Sequence, residues 1–234
     1  MTLLQTVLWI LLISSFSLFG SWYLKFHKNT NLFFAIFAIM YVFANVVVVK
    51  TIDFDLHFMK ITATSGTLAF AITYLIADLV NEFFGRKETS RMIFGATICY
   101  AIFAVLGTIV MRTSPGMFSR SEAIDVIFGN SWRITLAGLV TFFIVENLDA
   151  CCFAWLRKMT RGKYLWMRGL FSTLPAMALD TVLFFTLAFY GVMPIVPLFM
   201  GIIILKWMTT IISTPFLYFN RWIVGRTFVK PDEY

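Results

Sequence analysis

Gly66–Phe84 reads GTLAFAITYLIADLVNEFF, and Gly-Arg-Lys follows it at once. The run is apolar for most of its length and long enough to cross a bilayer, which takes about 20 such residues. Two acids nevertheless sit in its last two turns, Asp78 and Glu82, spaced to share one helix face. Two more stretches repeat the anomaly. Leu174–Gly191 (LPAMALDTVLFFTLAFYG) carries Asp180 near its middle, and Val196–Ser213 (VPLFMGIIILKWMTTIIS) carries Lys206. A charged side chain inside a membrane costs roughly 2.5–3.5 kcal/mol on insertion scales, so such residues are kept for a purpose.

The rest of the chain fits a membrane solvent. Of 234 residues, 60% are hydrophobic, 13% are charged and 27 are Phe. Soluble domains carry about 25% charged and 45–50% apolar residues. The composition predicts an all-α polytopic membrane bundle forming one domain over 1–234. Residues 1–31 read as an extra N-terminal helix and loop, 32–219 as core helices and 220–234 as a cytoplasmic tail. The segment before Lys25 has no Lys or Arg and so lacks the basic start of a signal peptide.

Seven spans are expected: Leu3–Leu24, Leu32–Val49, Thr62–Phe84, Met92–Met111, Ile134–Leu156, Gly169–Tyr190 and Ile195–Phe219. Gly191–Pro194 reads as a tight turn between the last two. A net charge of +7 would suggest nucleic acid for a soluble protein, but here the basic residues fall at span ends. With the N-terminus outside, 13 Lys and Arg lie in cytoplasmic segments and 5 in external ones, a bias that sets orientation. A six-span form with a peripheral first helix leaves the other loops unchanged.

Glu82 has two readings, a site residue or an interfacial partner of Arg86, also four residues on. Asp78 lies deeper. Glu146 and Asp149 form a second acidic pair on one face, as a binding group or as a helix–helix hydrogen-bond network. Ser172, Thr173 and Thr181 add polar groups around Asp180, and Pro175 opens backbone to a partner. Lys206 calls for an acid on a neighbouring helix, Asp180 or Asp149. Acids outnumber bases in these spans, which suits a cavity receiving a cation or hydrogen-bond donors. A planar heterocycle with N–H groups fits carboxylates set among Phe and Trp.

Enzyme signatures are missing: no HExxH, GxSxG or P-loop occurs. Transport would then use a gradient, facilitated diffusion or a separate energising protein. Cys99, Cys151 and Cys152 read as buried thiols with no disulfide framework. His27 and His57 fall in loops, which argues against haem or a His-bound metal, and no cofactor is expected. A lysine in the seventh span also matches a retinal photoreceptor, but Asp78 is too far towards the cytoplasm to serve as its counter-ion. A metal-dependent intramembrane enzyme is the third alternative, and its acids would lack a repeated ligand motif.

The order of several blocks resembles the queuosine precursor transporter family, also called the putative vitamin uptake transporter family. The blocks are ANVVVVK with Asn45 and Lys50, then Gly66–Arg91, then Arg133 opening the helix of Asp149, then RGLFSTLPAMALDTVLFFTLAFYG from Arg168, then Lys206. The match spans Phe43–Phe219. The resemblance implies a fold similar to the substrate-binding membrane components of vitamin transporters. It also implies import of 7-cyano-7-deazaguanine, its aminomethyl derivative or queuine, for salvage into transfer RNA. A transporter of the same fold for another small molecule, such as a vitamin, is the nearest alternative. Substrate-binding residues are expected at Asp78, Asp149, Asp180, Lys206, Asn45, Glu82 and Thr181. The partners would be a deazapurine base and the lipid bilayer, with no direct nucleic-acid contact, and the setting a bacterial inner membrane.

Overall fold

A computed structural model of the chain describes residues 2–48, 50–55, 60–114, 122, 127–129, 132–191 and 196–225. His57, most of the expected 191–194 turn and the tail beyond 225 lie outside the described residues. Among those described there are seven helices and one hairpin: α1 Leu3–His27, α2 Asn31–Val47, β1 Thr51–Asp55, β2 Lys60–Thr64, α3 Gly66–Phe84, α4 Arg86–Met111, α5 Trp132–Met159, α6 Leu165–Phe189 and α7 Val196–Val224. Six helices are long and apolar enough to cross a membrane. The seventh, α2, has 17 residues and reaches about 25 Å, near the short limit for a span.

Helix α3 is the axis of the bundle. All its residues from Gly66 to Phe83 except Phe70 are buried, against α2, α4, α5 and α7. The outer helices instead send Phe94, Ile98, Ile102 and Leu106 of α4, and Leu4, Leu8 and Leu12 of α1, outwards. Hydrocarbon is the solvent that suits such a surface. Helix α1 starts on a capping box, with Thr2 accepting from Gln5 N and Gln5 accepting from Thr2 N. It packs along α7, where Asn220 accepts from Ser21 Oγ at 2.6 Å and donates to Ser17 Oγ at 2.8 Å. Two glycines make the central packing feasible. A Cβ on Gly66 would strike the backbone carbonyl oxygen of Ala44 in α2. Gly85 turns the chain from α3 into α4 at φ +85°, a conformation that side chains disfavour.

Three expectations need correction. Thr62–Thr64 is not helical. It belongs to β2, paired antiparallel with β1 so that Phe54 faces Ile61. The segments TIDFD and KITAT alternate side chains between two faces, and the buried face holds Phe54, Ile61 and Ala63. That face lies on α7, where a Cβ at Gly201 would come within 2.7 Å of Ile61 Cγ2. Cys99 and Cys152 are exposed on the outer surface and Cys151 is half-buried, because helical rotation turns them away from the core. His27 is the last residue of α1, stacked on Tyr23 at 4.3 Å between ring centroids.

Candidate functional site

Four helices carry polar residues at matching heights. Read from the hairpin end, α3 offers Thr67, Tyr74, Asp78 and Glu82, and α5 offers Thr141, Glu146, Asp149 and Arg157. Helix α6 offers Asp180, Thr173 and Arg168, and α7 offers Lys206, Thr210, Ser213 and Arg221. Apart from the five-residue steps Thr141–Glu146 and Arg168–Thr173, steps of three, four, seven or eight residues keep each set near one helix face, and the four faces meet along one line through the bundle.

At the hairpin end this line opens into a cavity of about 100 Å³. Its walls include Tyr41 and Asn45 of α2, Thr64 of β2, Thr67 and Phe70 of α3, Gly138 and Thr141 of α5, Asp180, Phe184 and Phe185 of α6, and Ile202 and Lys206 of α7. Lys206 Nζ donates to Asp180 Oδ2 at 2.5 Å. The same ammonium lies 5.7 Å from the Phe70 ring centroid, close enough for a cation–π attraction. A lysine has three donors and a carboxylate accepts through two oxygens, so this pair keeps capacity for a ligand. Tyr41 stacks on Phe142 at 3.6 Å and fixes the wall behind Asn45, whose Nδ2 donates to Tyr41 O at 2.8 Å. Thr141 Oγ1 is buried with no hydrogen-bond partner.

Below the cavity, Thr73 Oγ1 lies 3.1 Å from Glu146 Oε1 and 2.7 Å from Phe70 O, which share its one hydrogen, while Glu146 Oε2 is buried without a hydrogen bond. One layer further, Thr173 Oγ1 lies 3.4 Å from Asp78 Oδ2 and 3.2 Å from Asp149 Oδ2. One hydroxyl has one hydrogen to give, so the two carboxylates compete for it. A void of about 10 Å³ adjoins Asp78 and Thr173, lined also by Tyr74, Gly169 and Thr210 among others. That is room for about one water, whereas the upper cavity admits several atoms.

The line ends in a charge cluster. Glu82, almost wholly buried, faces Arg168 Nη1 at 3.0 Å, Arg221 Nη1 at 3.5 Å and Arg157 Nε at 3.8 Å. Arg168 is completely buried, and its guanidinium lies 5.3 Å from the Phe153 ring centroid. Arg157 also donates to Asn81 O at 3.2 Å, and Asn81 Nδ2 donates to Ala150 O at 2.8 Å. The cluster therefore ties the ends of α3, α5, α6 and α7 together and closes the line. Glu82 takes these partners in place of Arg86, because its face of α3 points into the bundle.

The expected site residues thus fall into separate layers. Asp180, Lys206 and Asn45 line the cavity at the hairpin end, Asp78 and Asp149 share Thr173 below it, and Glu82 lies at the closed end. Thr181 donates to Met177 O of its own helix at 2.9 Å. Arg133 donates to Leu187 O and Tyr190 O at the end of α6, away from the cavity. Sequence reasoning missed Arg168, whose one signal was its place at the head of the Ser-Thr and Asp-Thr block. It also missed the aromatic wall of Tyr41 and Phe70, which nothing marks among so many aromatic residues. Among the described residues no cluster of three or more His, Cys, Asp or Glu side chains is arranged to hold a metal.

A family profile described as "Putative vitamin uptake transporter" matches residues 64–220, which takes in Asp78, Glu82, Asp149, Asp180 and Lys206 but not Tyr41, Asn45 or Arg221. A protein of Bacillus subtilis (strain 168) named "Probable queuosine precursor transporter" is 27% identical over 181 residues, covering 75% of this chain and 77% of the relative. No solved structure matches.

Proposed function

This chain belongs to the putative vitamin uptake transporter family, and from that premise we propose that it carries 7-deazaguanine precursors of queuosine across the cell membrane. It is a multi-pass membrane transporter rather than an enzyme. The observation that carries the substrate reading is the buried Asp180–Lys206 pair in the wall of the aromatic-lined cavity.

A guanine-like edge presents a ring N–H beside an exocyclic amine, and one carboxylate can accept from both at once. Asp180 is the acceptor. Lys206 donates to the ring carbonyl while its hydrogen bond to Asp180 Oδ2 orients the carboxylate. Phe70, Phe184 and Phe185 contact the flat faces of the heterocycle. Asn45 and Thr67 complete the polar rim. The name of the Bacillus subtilis relative supports the same ligand class.

Transport follows by alternating access. The cavity opens at the hairpin end while the Glu82 cluster closes the other. With the orientation set by the basic loops, the open end faces outside and the arginine cluster faces the cytoplasm. A substrate bound at Asp180 moves on once α6 and α7 shift against α3 and separate the arginines from Glu82. The test is a strain unable to make deazaguanines, supplied with each of the three compounds. Expression of this chain restores queuosine in transfer RNA with at least one of them. Absence of queuosine with all three, from protein present in the membrane, rejects the substrate.

A further inference from the structure

We infer that the layer below the cavity, formed by Asp78, Asp149 and Thr173, is a binding site for a small monovalent cation, sodium or a proton, that couples to transport. Three independent features lead there. The ligating atoms are all oxygens: two carboxylates and the Thr173 hydroxyl, with no nitrogen or sulfur among them. Such a set suits hard cations. The single Thr173 hydrogen cannot satisfy both acids, and the buried Ser172 hydroxyl beside Asp149 is neutral too, so the layer is short of positive charge.

The second feature is Tyr74. It lines the adjoining void and is 1% exposed, and its hydroxyl oxygen has no hydrogen-bond partner. Buried hydroxyls are normally paired, and each exception calls for an explanation such as an ion or a water. The third is Gly169. A Cβ there would lie 3.2 Å from Asp78 Oδ2 and 2.9 Å from Leu217, so the missing side chain makes the space in which the carboxylate sits.

Size and charge narrow the ligand. The void of about 10 Å³ holds one water-sized particle. Hydrated magnesium keeps several waters, and calcium takes 6–8 oxygen ligands, so neither divalent ion fits. The charged groups that reach Asp78 are Asp149 and Glu146 from α5 and Arg168 from α6. Arg168 is engaged by Glu82, and α7 supplies only hydroxyls here, from Thr210 and Ser213. Among the described residues, the one base that reaches Asp78 is thus shared with Glu82, and two acids face it. The site lies between the substrate cavity and the arginine cluster, where occupancy alters the cost of parting α3, α5 and α6.

The inference rests on the chain being a transporter, not on which substrate it carries. Its test needs no substrate, so its failure is separate from failure of the deazaguanine reading. Melting of the purified full-length protein in detergent is followed in sodium chloride against choline chloride, and in choline chloride across a pH series. Sodium at roughly ten times its dissociation constant raises the melting temperature by about 3–6 °C. The shift vanishes in Asp78→Asn and Asp149→Asn, shrinks in Tyr74→Phe and persists in Asp180→Asn. If sodium does nothing but acidification gives the same pattern across these variants, the ion is the proton. A wild-type protein indifferent to both ions overturns the site. So does a response unchanged by Asp78→Asn and Asp149→Asn. Should those two variants fail to fold, a Tyr74→Phe response equal to that of the wild type overturns it as well.

Discussion

Asp180 and Lys206 form an ion pair taken out of water by the bundle. Removing one partner of such a pair leaves an unmatched buried charge and costs about 3–5 kcal/mol, while replacing both with apolar groups is often neutral or better. Lys206→Met should therefore lower the melting temperature more than the double variant Asp180→Leu/Lys206→Met. Both should lose uptake by at least about tenfold. Melting curves and uptake assays on the same preparations check this. A double variant that transports normally would remove the pair from the binding site. The need for an acid beside Lys206 was legible in the sequence, because only a facing acid makes a mid-span lysine tolerable, but the choice of Asp180 over Asp149 was not. The partners of Glu82 were not. Arg86 stands at the right helical spacing, but the turn at Gly85 starts a new helix, and three arginines from other helices converge on the acid instead. Spacing along one helix says nothing about side chains arriving from its neighbours.

Helix α3 sets the geometry of every layer, so its contacts should be the least forgiving. Gly66→Val pushes a branched side chain into the Ala44 carbonyl, which belongs to the backbone and cannot rotate aside. Overpacking of this kind costs about 1–3 kcal/mol. The expected outcome is a melting temperature lower by several degrees, with transport reduced because the cavity wall between α2 and α3 moves. Gly95→Val in α4 has open space around its Cβ and should leave both properties near wild type. Equal effects of the two substitutions would show that the α2–α3 approach is not critical. Most elements could be read directly from apolar length. The hairpin could not, since Thr62–Thr64 adjoins a long apolar run and only alternation over five residues marks each strand. Its pairing depends on a face of α7 more than a hundred residues away.

The molecule as a whole has one open end and one tied end. Glu82→Gln removes the charge that holds Arg157, Arg168 and Arg221 together. The like-charged arginines should then part, and the equilibrium should move towards opening at that end. With Ser213→Cys in a background lacking the native cysteines, a membrane-impermeant thiol reagent applied from the side of the arginine cluster reports the change. Labelling should quicken roughly tenfold in Glu82→Gln, the effect of about 1.4 kcal/mol on the equilibrium. Unchanged labelling would mean that the cluster is only a structural tie. The membrane class and number of helices were legible because hydrocarbon imposes them on composition. The division of the acids into cavity, inner layer and closed end was not, because it depends on how four helices are rotated about their own axes.

The account centres on a deazaguanine held by Asp180 in the aromatic-walled cavity. Its most direct test is uptake of labelled 7-cyano-7-deazaguanine, 7-aminomethyl-7-deazaguanine and queuine into liposomes holding the purified chain or its Asp180→Asn variant. The account predicts saturable uptake of at least one compound by the native chain, reduced at least about tenfold in a folded variant. Native and variant proteins that transport these compounds equally well, or a native chain that transports none of them, would contradict it.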